Sequence, residues 1–137
     1  MAKYATTVAL VSLLLATISY GLDEFDNLEV ESCKLVSIVA KEIMTARQEG
    51  QPLSETLPSA INRFKELLEE IGVDVSVLEA EIPGELKELE QAIAQLAMGA
   101  YEVPPFSNEN AQRDAIDYYE NTAFSECYKG VVSDSEE

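Results

Sequence analysis

The stretch LEVESCKLVSIVAKEIMTARQEG, residues 28–50, decides the fold class. Apolar side chains recur at Cys33, Val36, Ala40 and Ile43, with Val39 and Met44 alongside, and this three-and-four spacing gathers them on one face of an α-helix. Glu31, Lys34, Lys41, Thr45 and Gln48 take the other side, toward water. Gly50 follows, and a glycine enters the left-handed conformation that stops a helix without a Cβ clash. The segment is a first amphipathic helix whose apolar face needs other elements to cover it.

Downstream, the same periodicity supplies those elements. Ser54 is placed as an N-cap, Pro58 falls in the first turn, and Leu57, Ile61, Phe64, Leu68 and Ile71 repeat at helical spacing up to a stop at Gly72. Residues 72–84, GVDVSVLEAEIPG, alternate like a strand at Val73, Val75 and Val77 but also contain a capping box, Ser76 to Glu79, so an extended connector entering one short helical turn is expected. Leu86, Leu89, Ile93, Leu96 and Ala100 define a third helix from Pro83 or Gly84 to Tyr101, which Pro104 and Pro105 forbid from continuing. A fourth starts after Ser107 as N-cap, with Phe106 folded over Ala111 as a staple, and turns Ala115, Ile116, Tyr119, Ala123 and Cys127 inward. Gly130 is expected to end it. The expectation is an all-α, small four-helix domain over residues 22–130, followed by an acidic disordered tail, 131–137.

Upstream, residues 1–21, MAKYATTVALVSLLLATISYG, place Lys3 ahead of an apolar run from Tyr4 to Ile18, with small Ser19 and Gly21 at the −3 and −1 positions of a cleavage after Gly21. This is the pattern of a signal peptide, and the alternative is an anchor that is retained. Export makes periplasmic or secreted localisation the expectation, with no stable membrane insertion after cleavage. It also changes what the two cysteines mean. Thiols outside the cytoplasm are oxidised, and an even count in a small chain points to a bridge, Cys33 with Cys127. The first and last helices would be fastened together. A redox pair or a zinc site lacks support, because the chain has no C-x-x-C and no histidine.

The charge balance excludes other classes. With 26 acidic and 9 basic residues and a net charge of −17, the chain repels nucleic acid and anionic lipid. Its 47% hydrophobic content is too high for a disordered acidic chain. Carboxylates recur at helical spacing (Glu66 with Glu70, Glu85 with Glu88, Asp114 with Asp117) as a solvated face does. Weak calcium or magnesium binding is the alternative, but no Asp-x-Asp-x-Asp-Gly loop is present. Phosphate-cradling glycine loops and dinucleotide fingerprints are absent as well, so no catalytic residue, cofactor or metal ligand is assigned.

Two stretches, IMTARQEGQPLS and AYEVPPFSNENAQRDAIDYYENTAFSECYKG, resemble a set of small exported uncharacterised proteins of bacteria and their phages. Those chains carry ARQ-x-G and YE-x-P turns and an aromatic-rich final helix ending in cysteine. The resemblance covers about half of the chain beyond residue 21 and implies topology, export and the bridge; the set has no established activity to carry over. Among the aromatics crowded into the last third, Tyr101, Phe106, Tyr118 and Tyr128 are the candidate interaction patch, since tyrosine offers large contact area at low entropic cost. The expected function is a non-catalytic exported module that binds a protein partner, a basic one by charge, as an inhibitor, an immunity-type protein or an accessory envelope factor. An acid- or divalent-cation-responsive stress protein is the second reading, and an unrecognised enzyme the third.

Overall fold

The computed structural model describes residues 25–135. The export signal expected at 1–21 and the last two residues lie outside that range. Five α-helices follow one another: α1 (Phe25–Gln48), α2 (Leu53–Glu70), α3 (Val75–Glu81), α4 (Pro83–Tyr101) and α5 (Glu109–Ser135), and there is no strand among the described residues. The all-α expectation holds, with one more helix than the four anticipated.

The helix ends show why. Gly50 and Gly72 both adopt positive φ, 84° and 93°. After each, the chain folds back onto the last turn: Gly50 N donates to Arg47 O and Gln51 N to Ala46 O, while Gly72 N donates to Glu69 O and Val73 N to Leu68 O. These paired reversed bonds satisfy carbonyls that a helix end otherwise leaves open. The connector after Gly72 is a helix because Asp74, not Ser76, caps it. Its Oδ1 accepts from the backbone N–H of Ser76 and Val77, so helix begins at Val75 and turns Val75 and Leu78 into the core. The valine alternation has no sheet to join.

Three further expectations are corrected. α2 begins at Leu53 with Pro52 in the cap position, and the Pro52 carbonyl accepts from Glu55 and Thr56; Ser54 lies inside the helix and Pro58 beyond its first turn. α5 is capped by Asn108, whose Oδ1 accepts from Asn110 and Ala111, in place of Ser107. Finally, α5 continues through Gly130 to Ser135. A mid-helix glycine costs only about 1 kcal/mol against alanine, and Gly130 lacks the proline that follows Gly50 two residues later or the capping aspartate that follows Gly72. Residues 131–135 are thus helical where a disordered tail was expected.

Three sets of contacts orient the bundle. Arg63 reaches Glu42 at 3.1 Å across a tight turn, so α2 runs antiparallel to α1. Lys65 pairs with Glu90 and Thr56 with Tyr101, so α4 is antiparallel to α2 and parallel to α1. The Cys33–Cys127 disulfide and the Lys41–Glu120 pair lay α5 antiparallel along α1. α1 is therefore the shared wall, with α2 and α4 packed on one part of its circumference and α5 on another. α1 contributes Cys33, Leu35, Val36, Val39, Ala40, Ile43 and Met44 to the core; α2 contributes Ala60, Phe64, Leu67 and Leu68. α4 adds Leu86, Leu89, Ala92, Ile93, Leu96, Ala97 and Ala100. Between Glu109 and Gly130 of α5, only Ala123 and Cys127 are fully buried, with Ala115, Ile116, Tyr119 and Phe124 half-buried against the others.

Candidate functional site

The polar groups converge at one end of the bundle, where α1 stops and the α4–α5 connection passes over it. Pro104 and Pro105 have no N–H, so this connection cannot satisfy itself as helix. Two consecutive side chains from the last turn of α1 hold it. Arg47 Nε donates to the Val103 carbonyl at 2.8 Å. Gln48 Nε2 donates to the Pro104 carbonyl at 3.1 Å, and Gln48 Oε1 accepts from Phe106 N–H at 2.8 Å. The Gln112 side chain completes the grip by donating to the Phe106 carbonyl.

Tyr101 forms the second half of this clamp. Its hydroxyl donates to the Gln51 carbonyl at 2.6 Å, so its single proton is committed and the Thr56 hydroxyl, also at 2.6 Å, must donate to it. The Arg47 guanidinium lies 4.9 Å from the centroid of the Tyr101 ring, a cation–π contact. The two turns ARQEG (46–50) and YEVPPF (101–106) are therefore parts of one structure. The side chains that make its bonds are arginine, amides and hydroxyls, with neither a thiol nor a carboxylate among them. What this arrangement can do chemically is hold a proline-rich turn in one shape.

Spacing puts Gln48 on the watery side of its helix, yet it is only 7% exposed, because the 103–106 turn covers it. Thr56 is buried for the same reason, under Tyr101. Neither residue stands out in the sequence; the available signal is the proline pair, whose lone carbonyls need donors from elsewhere.

The expected aromatic patch does not form as a unit. Tyr101 is engaged in the clamp. Phe106, 37% exposed, sits in the connection with its backbone held by Gln48 and Gln112. Tyr118 is 73% exposed on the outer side of α5. Tyr128 stacks on Phe124, ring centroids 6.2 Å apart. From Tyr118 to Tyr128 is about 15 Å of helical rise and a rotation of about 80°. These are two separate aromatic sites on one helix.

Charges are gathered around the few cations. Arg63 contacts Glu42, Glu66 at 3.5 Å and Glu70 at 3.9 Å. The hydrogen bond that Arg63 donates to Glu42, and then the charges of Glu42 and Glu70, raise the Arg63 pKa above its ordinary value. Lys65 contacts Glu90 at 3.0 Å and Glu79 at 3.9 Å, fastening α2 to α3 and α4. Glu66 and Glu70 thus share a guanidinium, and no group of three or more metal-binding side chains comes together among the described residues. No helix among those residues is long and apolar enough to cross a membrane.

Cys33 and Cys127 are bonded, and both are fully buried. Comparison with protein-family models, with curated proteins and with solved structures yields no match.

Proposed function

We propose that this chain is an exported, non-catalytic module that binds a basic protein, in the manner of an inhibitor, an immunity-type protein or an accessory envelope factor. The observation that carries the reading is the outer face of α5. Tyr118 projects there with Asp114 and Asp117 beside it, all exposed, on a helix whose opposite side is the one packed on α1. An exposed tyrosine supplies an anchor that desolvates readily, and neighbouring carboxylates steer and orient a cationic partner. The net charge of −17 extends that attraction over the whole molecule. Export is supported by the buried disulfide, which an oxidising compartment preserves, together with the leader pattern at residues 1–21.

The test is capture from a cell-envelope extract, using the chain from Leu22 onward as bait beside a variant carrying Tyr118→Ala, Asp114→Asn and Asp117→Asn. The expected result is a basic protein retained at low salt by the parent, released at high salt and not retained by the variant. A partner held equally by both baits removes α5 as the binding face, and the absence of any salt-sensitive partner removes the reading.

A further inference from the structure

We propose that the clamped α4–α5 connection is a preformed docking knob, whose exposed Pro105 and Phe106 enter an apolar pocket with a basic rim on a protein partner. This surface is other than the outer face of α5 and does not rest on the reading of that face. Three observations carry it. First, the tip is apolar and open. Pro104, Pro105 and Phe106 are consecutive exposed residues, while the polar Gln48 and Thr56 beneath them are buried. Second, the backbone under the tip is already committed. The Val103 and Pro104 carbonyls accept from Arg47 and Gln48, and Phe106 gives its N–H to Gln48 and its carbonyl to Gln112. A partner that adds a strand pairs through such groups, so strand addition does not fit, and recognition falls to the side-chain surface. Third, the turn is stiff before any partner arrives. Each proline fixes its own φ and holds the residue before it extended, and the side chains of α1 and α5 pin the rest. Ordering a loop is a large cost of association, and folding has removed it here.

Charge around the tip selects the rim. Glu49, Glu102 and Glu109 are exposed beside it, in the two turns and at the start of α5. Arg47, the cation of those turns, is held against the Tyr101 ring and the Val103 carbonyl. An apolar tip flanked by carboxylates matches a pocket edged with lysine or arginine and repels one edged with acids. A second copy of this chain, at a net charge of −17, is repelled on the same ground.

The test incubates the protein with a cell-envelope extract at low salt and adds a carbodiimide, which joins a carboxylate to a lysine in direct contact with it. Mass spectrometry maps the joined residues, and the partner so identified is purified for affinity measurements. Cross-links are expected at Glu102 or Glu109. Phe106→Ala is expected to weaken binding on the order of a hundredfold, as an anchor residue does, and Pro105→Ala in the same direction. Gln48→Ala leaves the tip side chains in place and removes their clamp, so it is expected to weaken binding about tenfold. Cross-links confined to Asp114 and Asp117, with Phe106→Ala binding like the parent, overturn the knob and leave the α5 reading standing; cross-links at Glu102 or Glu109, with Tyr118→Ala binding like the parent, do the reverse. Affinity unmoved by Gln48→Ala, or no cross-linked partner at all, also overturns the proposal. Both tip residues are exposed, so their variants are expected to melt with the parent, and Pro105→Ala carries the test if Phe106→Ala does not fold.

Discussion

The α1–α4 body and α5 are both helical and both rest on α1, yet they are held by different physics. The body is held by burial. Side chains such as Met44, Leu68, Leu89 and Ile93 are withdrawn almost completely from water, at about 1.5–3 kcal/mol each for a fully buried large aliphatic residue. α5 is held by a long, shallow contact and a covalent bond: it packs along α1 more extensively than any other pair of helices, through residues that are small or half-buried, and the bridge joins residues 94 apart. By the loop-closure model such a cross-link destabilises the open chain by roughly 4–5 kcal/mol, more than any single side chain in α5 contributes. Equal helix content therefore conceals unequal sources of order.

The sharpest way to break this contrast is to delete the bridge. Replacing Cys33 and Cys127 with alanine is expected to remove about 4–5 kcal/mol and to lower the midpoint of thermal unfolding followed by circular dichroism by several degrees. An unchanged midpoint would show that the packing of α5 on α1 holds the helix without the bond. Next comes Leu68→Ala, at a position with no exposure in the middle of the body, expected to cost about 2–5 kcal/mol and to lower the midpoint for all helices together. If Leu68→Ala instead loosens α5 selectively, the contrast is drawn in the wrong place.

Gln48→Ala should cost about 1–3 kcal/mol, because it leaves the Pro104 carbonyl and the Phe106 N–H without their partner under a covered surface. The check is protease cutting within 103–108, expected to quicken in the variant before either helix melts. Added salt is a smaller lever. With 26 acids against 9 bases, screening relieves net repulsion, so the midpoint is expected to climb by a few degrees as salt is raised from low to moderate levels. A falling midpoint would mean that the Arg63 and Lys65 clusters outweigh the repulsion. Arg63 itself adds no pH dependence near neutrality: its pKa is raised, so its contribution is present in full below the unfolded value and fades only at strongly alkaline pH. The smallest effect is expected for Tyr118→Ala, within about 0.5 kcal/mol in a melt, because the ring is mostly in water. Its change should be in partner capture.

Most of the helical architecture is legible in the residues, for reasons that are local. Leu86, Leu89, Ile93, Leu96 and Ala100 repeat so regularly that their burial can be expected one by one, and each is buried. Gly50 and Gly72 announce their helix ends because a positive φ there is nearly free for glycine alone. The features that escape such reading are decided by tertiary neighbours or by competing caps. Asp74 lies two residues before Ser76, and both are good N-caps; spacing alone does not choose between them. Gly130 resembles Gly50 in isolation, and only the residues C-terminal to each glycine distinguish a stop from a tolerated position. Gln48 looks like a surface residue until the prolines at 104 and 105 fold across it. Tyr101 looks available for binding because its partners, Thr56 and Gln51, stand 45 and 50 residues away. The bridge is legible from the compartment implied by residues 1–21; the shallow burial along α5 is not, since Ala115, Ile116 and Tyr119 show an inward stripe without showing how far in it goes.

The bridge also makes the span from Cys33 to Cys127 a closed ring. The exposed turns at 49–52 and 102–108 fall inside the span from Cys33 to Cys127. A protease that severs one peptide bond in either turn therefore produces no free fragment, only a molecule one water heavier whose two pieces are still joined through sulfur. Such a nicked form would migrate undivided until a reductant is added, so for this protein a single cleavage in a turn is survivable damage.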